Sequence, residues 1–227
     1  MTPTIITSHR SPNHNPRDGA AISLIVLHAT AGEFASSLAW LCAPSSKVSC
    51  HYLISKSGLI YQLVPDERAA WHAGASQWFE LGSVAIRQRS IGIEMVNANT
   101  GRDPYSAVQR EAARDLCRSL VARYAIVPDM LVRHSDIAMP RGRKSDPSGF
   151  PWADWKQSVF ATTVSPLIRT VKAGPRGAIA QQDRTPSAPT AGVWYPPGSW
   201  IQVDDLTADY WHAQDGTGFI PRGQVEE

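Results

Sequence analysis

Runs of branched aliphatic residues alternate with amphipathic stretches in the first 160 residues of the chain. The run 22–27 is almost entirely apolar, which is typical of a buried strand. Residues 90–96 alternate between two faces, and 131–133 predicts a further short strand. The segments 49–55 and 59–64 flank a Ser-Gly turn and predict a hairpin.

Three segments between these strands predict helices. Residues 35–42 form a short apolar-faced stretch that ends before Pro44, and 106–124 has apolar residues at helical spacing. Pro151 suits the first turn of a last helix. Residues 1–20 are polar and rich in turn formers, so we expect a loose arm lying on the main domain. Strands mixed with helices predict one α/β domain over residues 1–163.

The composition changes after this domain. Pro, Gly, Ala, Gln and Thr dominate residues 165–192, and short aromatic stretches separated by turn dipeptides such as Asp215-Gly216 follow. This pattern predicts a small all-β barrel whose first strand lies near 177–181. Residues 164–227 are therefore expected to form a second domain that includes its own linker.

Bulk properties exclude several classes of protein. The 227 residues carry a net charge of only +2, so nucleic acid is not favoured as a partner. No apolar stretch is long enough to span a membrane. The first residues lack the basic and apolar regions of a secretory signal, so we expect synthesis in the cytoplasm. The three cysteines, Cys42, Cys50 and Cys117, do not predict a disulfide framework.

Two histidines and an aspartate stand beside predicted element ends. His28 closes the first apolar run, His134 follows the strand 131–133, and Asp146 lies in the loop beyond it. Two imidazoles, a carboxylate and an open fourth position are how proteins build catalytic zinc. Each residue taken alone is more often structural, and their wide separation forms no local metal motif. The chemistry is therefore a hypothesis that depends on the fold bringing them together.

Two further charged residues fit the same chemistry. Glu94 is a mid-strand carboxylate, costly to bury without a partner, and is a candidate general base. Lys144 lies two residues before Asp146, so in an extended stretch both point the same way and the ammonium could stabilise an oxyanion. The alternatives are an arginine partner for Glu94 and a solvated loop for Lys144.

Taken in order, six parts of the chain resemble the zinc-dependent N-acetylmuramoyl-L-alanine amidases, the amidase-2 group related to peptidoglycan recognition proteins. The matching parts are 24–31, 48–54 with 58–65, 70–74, 90–94, 134–138 and 143–147. The resemblance implies a mixed central β-sheet flanked by helices. It also implies zinc ligands His28, His134 and Asp146, a base Glu94, an electrostatic helper Lys144, and a substrate groove lined by Trp71 and His72. Trp71 could equally belong to the core, and His51 is expected to be structural.

The resemblance implies a hydrolase that cuts the amide between N-acetylmuramic acid and L-alanine in peptidoglycan or a muropeptide, and we expect the protein to be a monomer. The C-terminal part is similar to a bacterial SH3-like domain, which suggests cell-wall binding and favours a lysis enzyme of the endolysin type. A cytosolic muropeptide-recycling amidase, a non-catalytic peptidoglycan-binding protein and a zinc peptidase acting within the stem are the alternatives. The C-terminal domain could also be a packing appendage.

Overall fold

The structure is a computed structural model, and it describes residues 4–161 together with strand segments between 169 and 226. The chain divides into two compact units, residues 1–161 and 162–227. Within the described residues, no helix combines the length and apolarity needed to cross a membrane.

The first unit contains ten strands and five α-helices within its described residues. In chain order they are β1 (Ile5–Ile6), β2 (His14–Pro16), β3 (Leu24–Ala29), α1 (Phe34–Cys42), β4 (Tyr52–Ile54), β5 (Ile60–Gln62), β6 (Arg68–Ala70), β7 (Gln77–Trp78), β8 (Leu81–Gly82), α2 (Ser83–Arg89), β9 (Ser90–Met95), α3 (Ala107–Tyr124), β10 (Leu131–Arg133), α4 (His134–Ile137) and α5 (Trp152–Phe160). The strands and helices predicted from sequence in this unit are confirmed, whereas α2, α4 and the short strands around them were not predicted.

Six strands form a mixed sheet in the order β1-β5-β4-β9-β3-β10, in which only β4 and β5 pair antiparallel. All six residues of β3 are buried because both faces of the sheet are covered. Leu116 of α3 and Trp155 of α5 pack on one face, while Ile86 of α2 and Ile137 of α4 pack on the other. The expected central sheet flanked by helices is confirmed.

The N-terminal segment is part of the fold, so the expectation of a loose arm is wrong. β1 pairs with β5 at the edge of the main sheet, and β2 pairs with β6. The Arg17 guanidinium is buried and donates hydrogen bonds to the carbonyls of Asp66, Gln88 and Ser90. Polar side chains in this segment donate hydrogen bonds to backbone carbonyls inside the fold. A hydropathy pattern reports only that these residues are polar, so it does not predict this role.

We expect Arg17→Ala to destabilise the first unit by about 2–3 kcal/mol, because three backbone carbonyls, those of the buried Asp66 and Ser90 and of the partly buried Gln88, would lose this donor. Arg10→Ala is the control, since Arg10 is exposed and donates to the Gln62 carbonyl from the same segment. That substitution should cost less than about 0.5 kcal/mol. Denaturant unfolding of the two variants measures the difference, and equal midpoints would contradict the role given to Arg17.

The second unit is described through seven strands. They are β11 (Arg169–Ala173), β12 (Ala178–Gln181), β13 (Thr190–Tyr195), β14 (Trp200–Asp205), β15 (Tyr210–Ala213), β16 (Phe219–Pro221) and β17 (Val225–Glu226). They form one antiparallel sheet in the order β13-β12-β16-β15-β14-β11-β17. The strand predicted near 177–181 as the first of this unit is β12, the second. β11 precedes it, in the stretch of altered composition where no strand was predicted. The Asp215-Gly216 turn lies outside the described residues, and an SH3-like barrel stays a prediction.

Candidate metal centre and its pocket

The candidate site residues meet at one edge of the main sheet. β3 and β9 run parallel, and their register places His28 directly beside Glu94. His134 begins α4 immediately after β10, the other parallel neighbour of β3. Carboxyl ends of parallel strands share one sheet edge, which is the usual place for a site in such folds. Asp146 arrives on a loop whose backbone carbonyl accepts a hydrogen bond from the amide of Ser135 in α4.

His28, His134 and Asp146 form a buried cluster that could hold a metal ion. One potential ligand atom from each lies within 4.8 Å of the others. The Asp146 Oδ2 atom is 3.0 Å from His134 Nδ1 and 3.4 Å from His28 Nδ1. His134 Nε2 lies 3.2 Å from the Ala73 carbonyl, which can only accept, so a metal ion bound at Nδ1 would leave the ring proton on Nε2 to donate to that carbonyl.

The protonation states in this cluster suit a cation. Burial, together with the neighbouring His134, lowers the pKa of His28 to about 4, so its imidazole is neutral near pH 7. Burial opposes ionisation of Asp146, but hydrogen bonds with His134 and His28 outweigh it and hold its pKa below the usual range. Neutral imidazole and ionised carboxylate are the forms that bind metals.

Glu94 presents a carboxylate beside this cluster without being part of it. Its Oε2 atom is buried and finds no hydrogen-bond partner within the described part of the chain. Burial and the negative charge of Asp146 raise the pKa of Glu94 to about 8, while the Lys144 ammonium lowers it. A carboxyl group with a strongly perturbed pKa in a pocket is a candidate for proton transfer.

Two adjoining pockets open at the cluster. The first has a volume of about 620 Å³, and Glu94, Lys144 and Asp146 line it. The second, of about 560 Å³, shares Trp71, His72, His134 and Lys144 with the first. The second pocket is cationic, with no Asp or Glu in its lining and with Lys47, Arg87, Arg143 and Lys144 around it.

The two residues expected in a substrate groove occupy different positions. Trp71 is half-buried between the pockets, and its indole N–H donates to Asn15 Oδ1 at 2.6 Å. His72 is buried, with Nδ1 3.0 Å from His28 Nε2 and Nε2 2.9 Å from the Ser90 hydroxyl. Both ring nitrogens of His72 therefore contact protein groups. His51 is also buried, and its Nδ1 accepts from the Gly92 amide.

Sequence reasoning did not identify the contribution of Ser90 and Gly92. Together with Glu94 they occupy alternate positions of β9 and so share one face of that strand. A Cβ atom at Gly92 would lie 2.4 Å from His72 Cγ, far inside van der Waals contact. The alternation of Ser90, Gly92 and Glu94 was visible in the sequence. The imidazole of His72, which occupies the space above Gly92, comes from a segment about 20 residues away in sequence.

We expect Gly92→Ala to destabilise the protein by about 1–3 kcal/mol, because the added methyl group forces the His72 ring or β9 to move. Gly82→Ala is a matched control: a Cβ there meets nothing within 4 Å, and its φ is −81°. The control should cost less than about 1 kcal/mol. Equal unfolding midpoints for the two alanine variants would show that His72 has more room than the structure gives it.

The sequence matches a known protein family and is similar to curated proteins. A profile of the N-acetylmuramoyl-L-alanine amidase family, Amidase_2, matches residues 18–149, more than half of the chain. Escherichia coli K12 N-acetylmuramoyl-L-alanine amidase AmiD is 38% identical over 151 residues, 60% of this chain and 52% of that protein. Enterobacter cloacae 1,6-anhydro-N-acetylmuramyl-L-alanine amidase AmpD is 36% identical over 118 residues, 52% of this chain and 59% of that protein. The chain thus spans about half the length of these curated relatives.

Solved structures show the same fold in the first unit. The complex of E. coli AmiD with anhydro-N-acetylmuramic acid-L-Ala-D-γ-Glu-L-Lys superposes with a TM-score of 0.55 at 36% identity, covering 66% of this chain and 61% of that one. The chain belongs to the N-acetylmuramoyl-L-alanine amidase family.

Proposed function

We propose that this protein is a zinc-dependent hydrolase that cleaves the amide between the lactyl group of N-acetylmuramic acid and L-alanine of the stem peptide. The observation that carries the proposal is the buried cluster of His28, His134 and Asp146, with Glu94 lining the same pocket as His134 and Asp146. Family membership and the names of the relatives support this choice of bond.

The donor set of the cluster fits zinc. Ligands about 2.0–2.1 Å from a tetrahedral ion lie roughly 3.3 Å apart, and Asp146 Oδ2 is 3.0 and 3.4 Å from the two imidazole nitrogens. Two imidazoles and one carboxylate leave a fourth position open, which is the pattern of catalytic zinc sites. When bound there, zinc supplies Lewis-acid polarisation of a carbonyl and lowers the pKa of a water molecule to about 7.

Glu94 is assigned the role of general base and then general acid. Its carboxylate faces the pocket without an internal hydrogen-bond partner for Oε2, so it is free to accept a proton from water. The amide nitrogen must be protonated before the C–N bond breaks, and Glu94 returns the proton to it. The Lys144 ammonium favours the ionised form of Glu94 against the opposing effects of burial and Asp146, and a bound zinc ion would favour that form further.

Lys144 and the cationic pocket are assigned roles in charge stabilisation. The Lys144 side chain lines both pockets, where its ammonium can stabilise the oxyanion of a tetrahedral intermediate. Lys47, Arg87 and Arg143 give the second pocket a positive field that suits the carboxylates of a stem peptide. Trp71, between the pockets, lies where the substrate would pass from one to the other.

Digestion of purified muropeptides with the zinc-loaded protein tests the proposal. Mass spectrometry should detect free stem peptide with L-alanine at its amino terminus, together with unsubstituted muramic acid. A chelator should abolish the reaction and added zinc should restore it. Products cut within the peptide would instead indicate a peptidase, and intact muropeptide after binding would indicate a recognition protein.

The form of the substrate is a separate part of the proposal. AmpD relatives are named for 1,6-anhydro-N-acetylmuramyl-L-alanine, and the AmiD complex contains an anhydro-muropeptide. We infer that a soluble anhydro-muropeptide is a substrate here, which supports a recycling role over the endolysin role favoured from sequence. Parallel assays on anhydro-muropeptide and intact sacculi distinguish the two, because an endolysin would release more product from sacculi.

A further inference from the structure

A chain of hydrogen bonds runs from His28 through two other buried side chains, on the side of the His28 ring opposite Asp146. His28 Nε2 is 3.0 Å from His72 Nδ1, and His72 Nε2 is 2.9 Å from the Ser90 hydroxyl oxygen. The relative exposures of His28, His72 and Ser90 are 1%, 9% and 0%. These contacts are therefore internal to the protein, and they begin on the nitrogen of His28 that faces away from Asp146.

The two histidines of the cluster have different outer partners. His134 Nε2 faces the Ala73 carbonyl, which accepts only, so with a metal ion on Nδ1 the backbone would hold the ring proton on Nε2. His28 Nε2 faces another imidazole nitrogen, which accepts or donates according to its own tautomer. The tautomer of His28 consequently depends on His72.

Two arrangements with the same number of protons satisfy this chain. In one, Ser90 donates to His72, His72 donates to His28, and His28 Nδ1–H donates to Asp146. In the other, His28 Nε2–H donates to His72 and His72 Nε2–H donates to Ser90, whose hydroxyl serves in either role. Only the second arrangement leaves a lone pair on His28 Nδ1, the atom that lies 3.4 Å from Asp146 Oδ2.

The surroundings of His72 hold its ring in place for this role. The Ser90 hydroxyl of β9 contacts one ring nitrogen of His72. Gly92 of β9 lies against the same ring without a side chain, and a Cβ atom there would approach His72 Cγ to 2.4 Å. The rings of His28 and His72 meet edge to face, with centroids 5.1 Å apart. A flat ring confined between a glycine and a second imidazole cannot turn freely.

We propose that His72, oriented by Ser90 and Gly92, is a positioning residue that holds His28 as its Nε2–H tautomer, so that Nδ1 is available to a metal ion. The inference rests on the proposed zinc site. Outer partners of metal-bound histidines are commonly carboxylates, backbone carbonyls or waters. Here the partner of His28 is a neutral imidazole, which a single substitution can remove. The partner of His134 is the backbone carbonyl of Ala73, which no side-chain substitution removes.

The test compares His72→Asn with His72→Leu in the full chain. Asparagine and leucine have nearly the same shape, but only asparagine places an amide acceptor near the position of Nδ1. Zinc affinity is measured without substrate by competition with a chromophoric chelator. We expect leucine to weaken zinc binding roughly 10- to 100-fold and asparagine to stay within about threefold of wild type. Equal affinities for the two variants would overturn the inference.

Two further measurements keep the test decisive if His72→Leu fails to fold. Ser90→Ala retains the imidazole and should weaken zinc binding roughly three- to tenfold. Nitrogen-15 NMR of the zinc-loaded wild type should show a hydrogen-bonded proton on His28 Nε2, and this proton should exchange faster in Ser90→Ala. A protonated Nδ1 on zinc-loaded His28, or unchanged affinity in Ser90→Ala, would overturn the inference.

Failure of the proposed function is distinguishable from failure of this inference. If zinc binds, the His72 variants rank as expected and no muropeptide is cut, the amidase assignment is wrong and the positioning role stands. If muropeptide is cut while His72→Leu binds zinc like wild type, only the positioning role is wrong.

Discussion

Asp146→Asn is expected to lose bound zinc and, with it, all measurable cleavage of muropeptide. The substitution keeps the shape of the side chain and removes the negative charge that both histidines contact. Loss of an outer partner of a ligand already costs roughly 10- to 100-fold in metal affinity, and loss of a ligand should cost more. Zinc content after dialysis and the rate of stem-peptide release measure the two effects.

The control for this change is Asp154→Asn, which makes the same chemical substitution at an exposed position of α5. It should retain one zinc per chain and wild-type activity. Full zinc occupancy in Asp146→Asn would show that Asp146 is not a ligand. Zinc loss with undiminished cleavage would show that the reaction does not need the metal.

Glu94→Gln is expected to reduce turnover by about 10²- to 10⁴-fold while zinc stays bound. Glutamine retains the shape of the side chain but cannot take a proton from water. Glu94 is not one of the three clustered residues, so the metal affinity should change little. Turnover of a synthetic muropeptide and zinc titration, carried out on the same preparation, separate the two quantities.

Glu111→Gln on α3 provides the matched control, because this glutamate is exposed. It should leave both turnover and zinc affinity unchanged. Turnover of Glu94→Gln within a few-fold of wild type would remove Glu94 from the proton transfer. Loss of zinc in the same variant would instead indicate that Glu94 helps to hold the metal.

The central elements of the fold were predictable because their apolar patterns are strong. β3 is a continuous aliphatic run and α3 has clear helical spacing, so both followed from periodicity. The short strands β1 and β2 were missed because partners distant in sequence, β5 and β6, define them. α4 contains only four residues, too few for a periodic signal.

The residues of the candidate site could be proposed from the sequence, but their arrangement could not. His28, Glu94 and His134 each stand at a strand or beside its end, and parallel pairing brings such positions to one edge. The hydrogen bond from His28 to His72 could not be predicted, because it depends on the path of the chain after β6 and on the space above Gly92. Family resemblance gave His72 a place in the groove, whereas its hydrogen bonds suggest an additional role behind His28.

X-ray absorption at the zinc edge of the wild-type protein tests the central claim most directly. We predict one zinc per chain, with only nitrogen and oxygen neighbours at about 2.0–2.1 Å and the multiple-scattering pattern of two imidazoles. A sulfur neighbour at about 2.3 Å, or protein that retains no zinc after loading, would contradict a metal centre built from His28, His134 and Asp146.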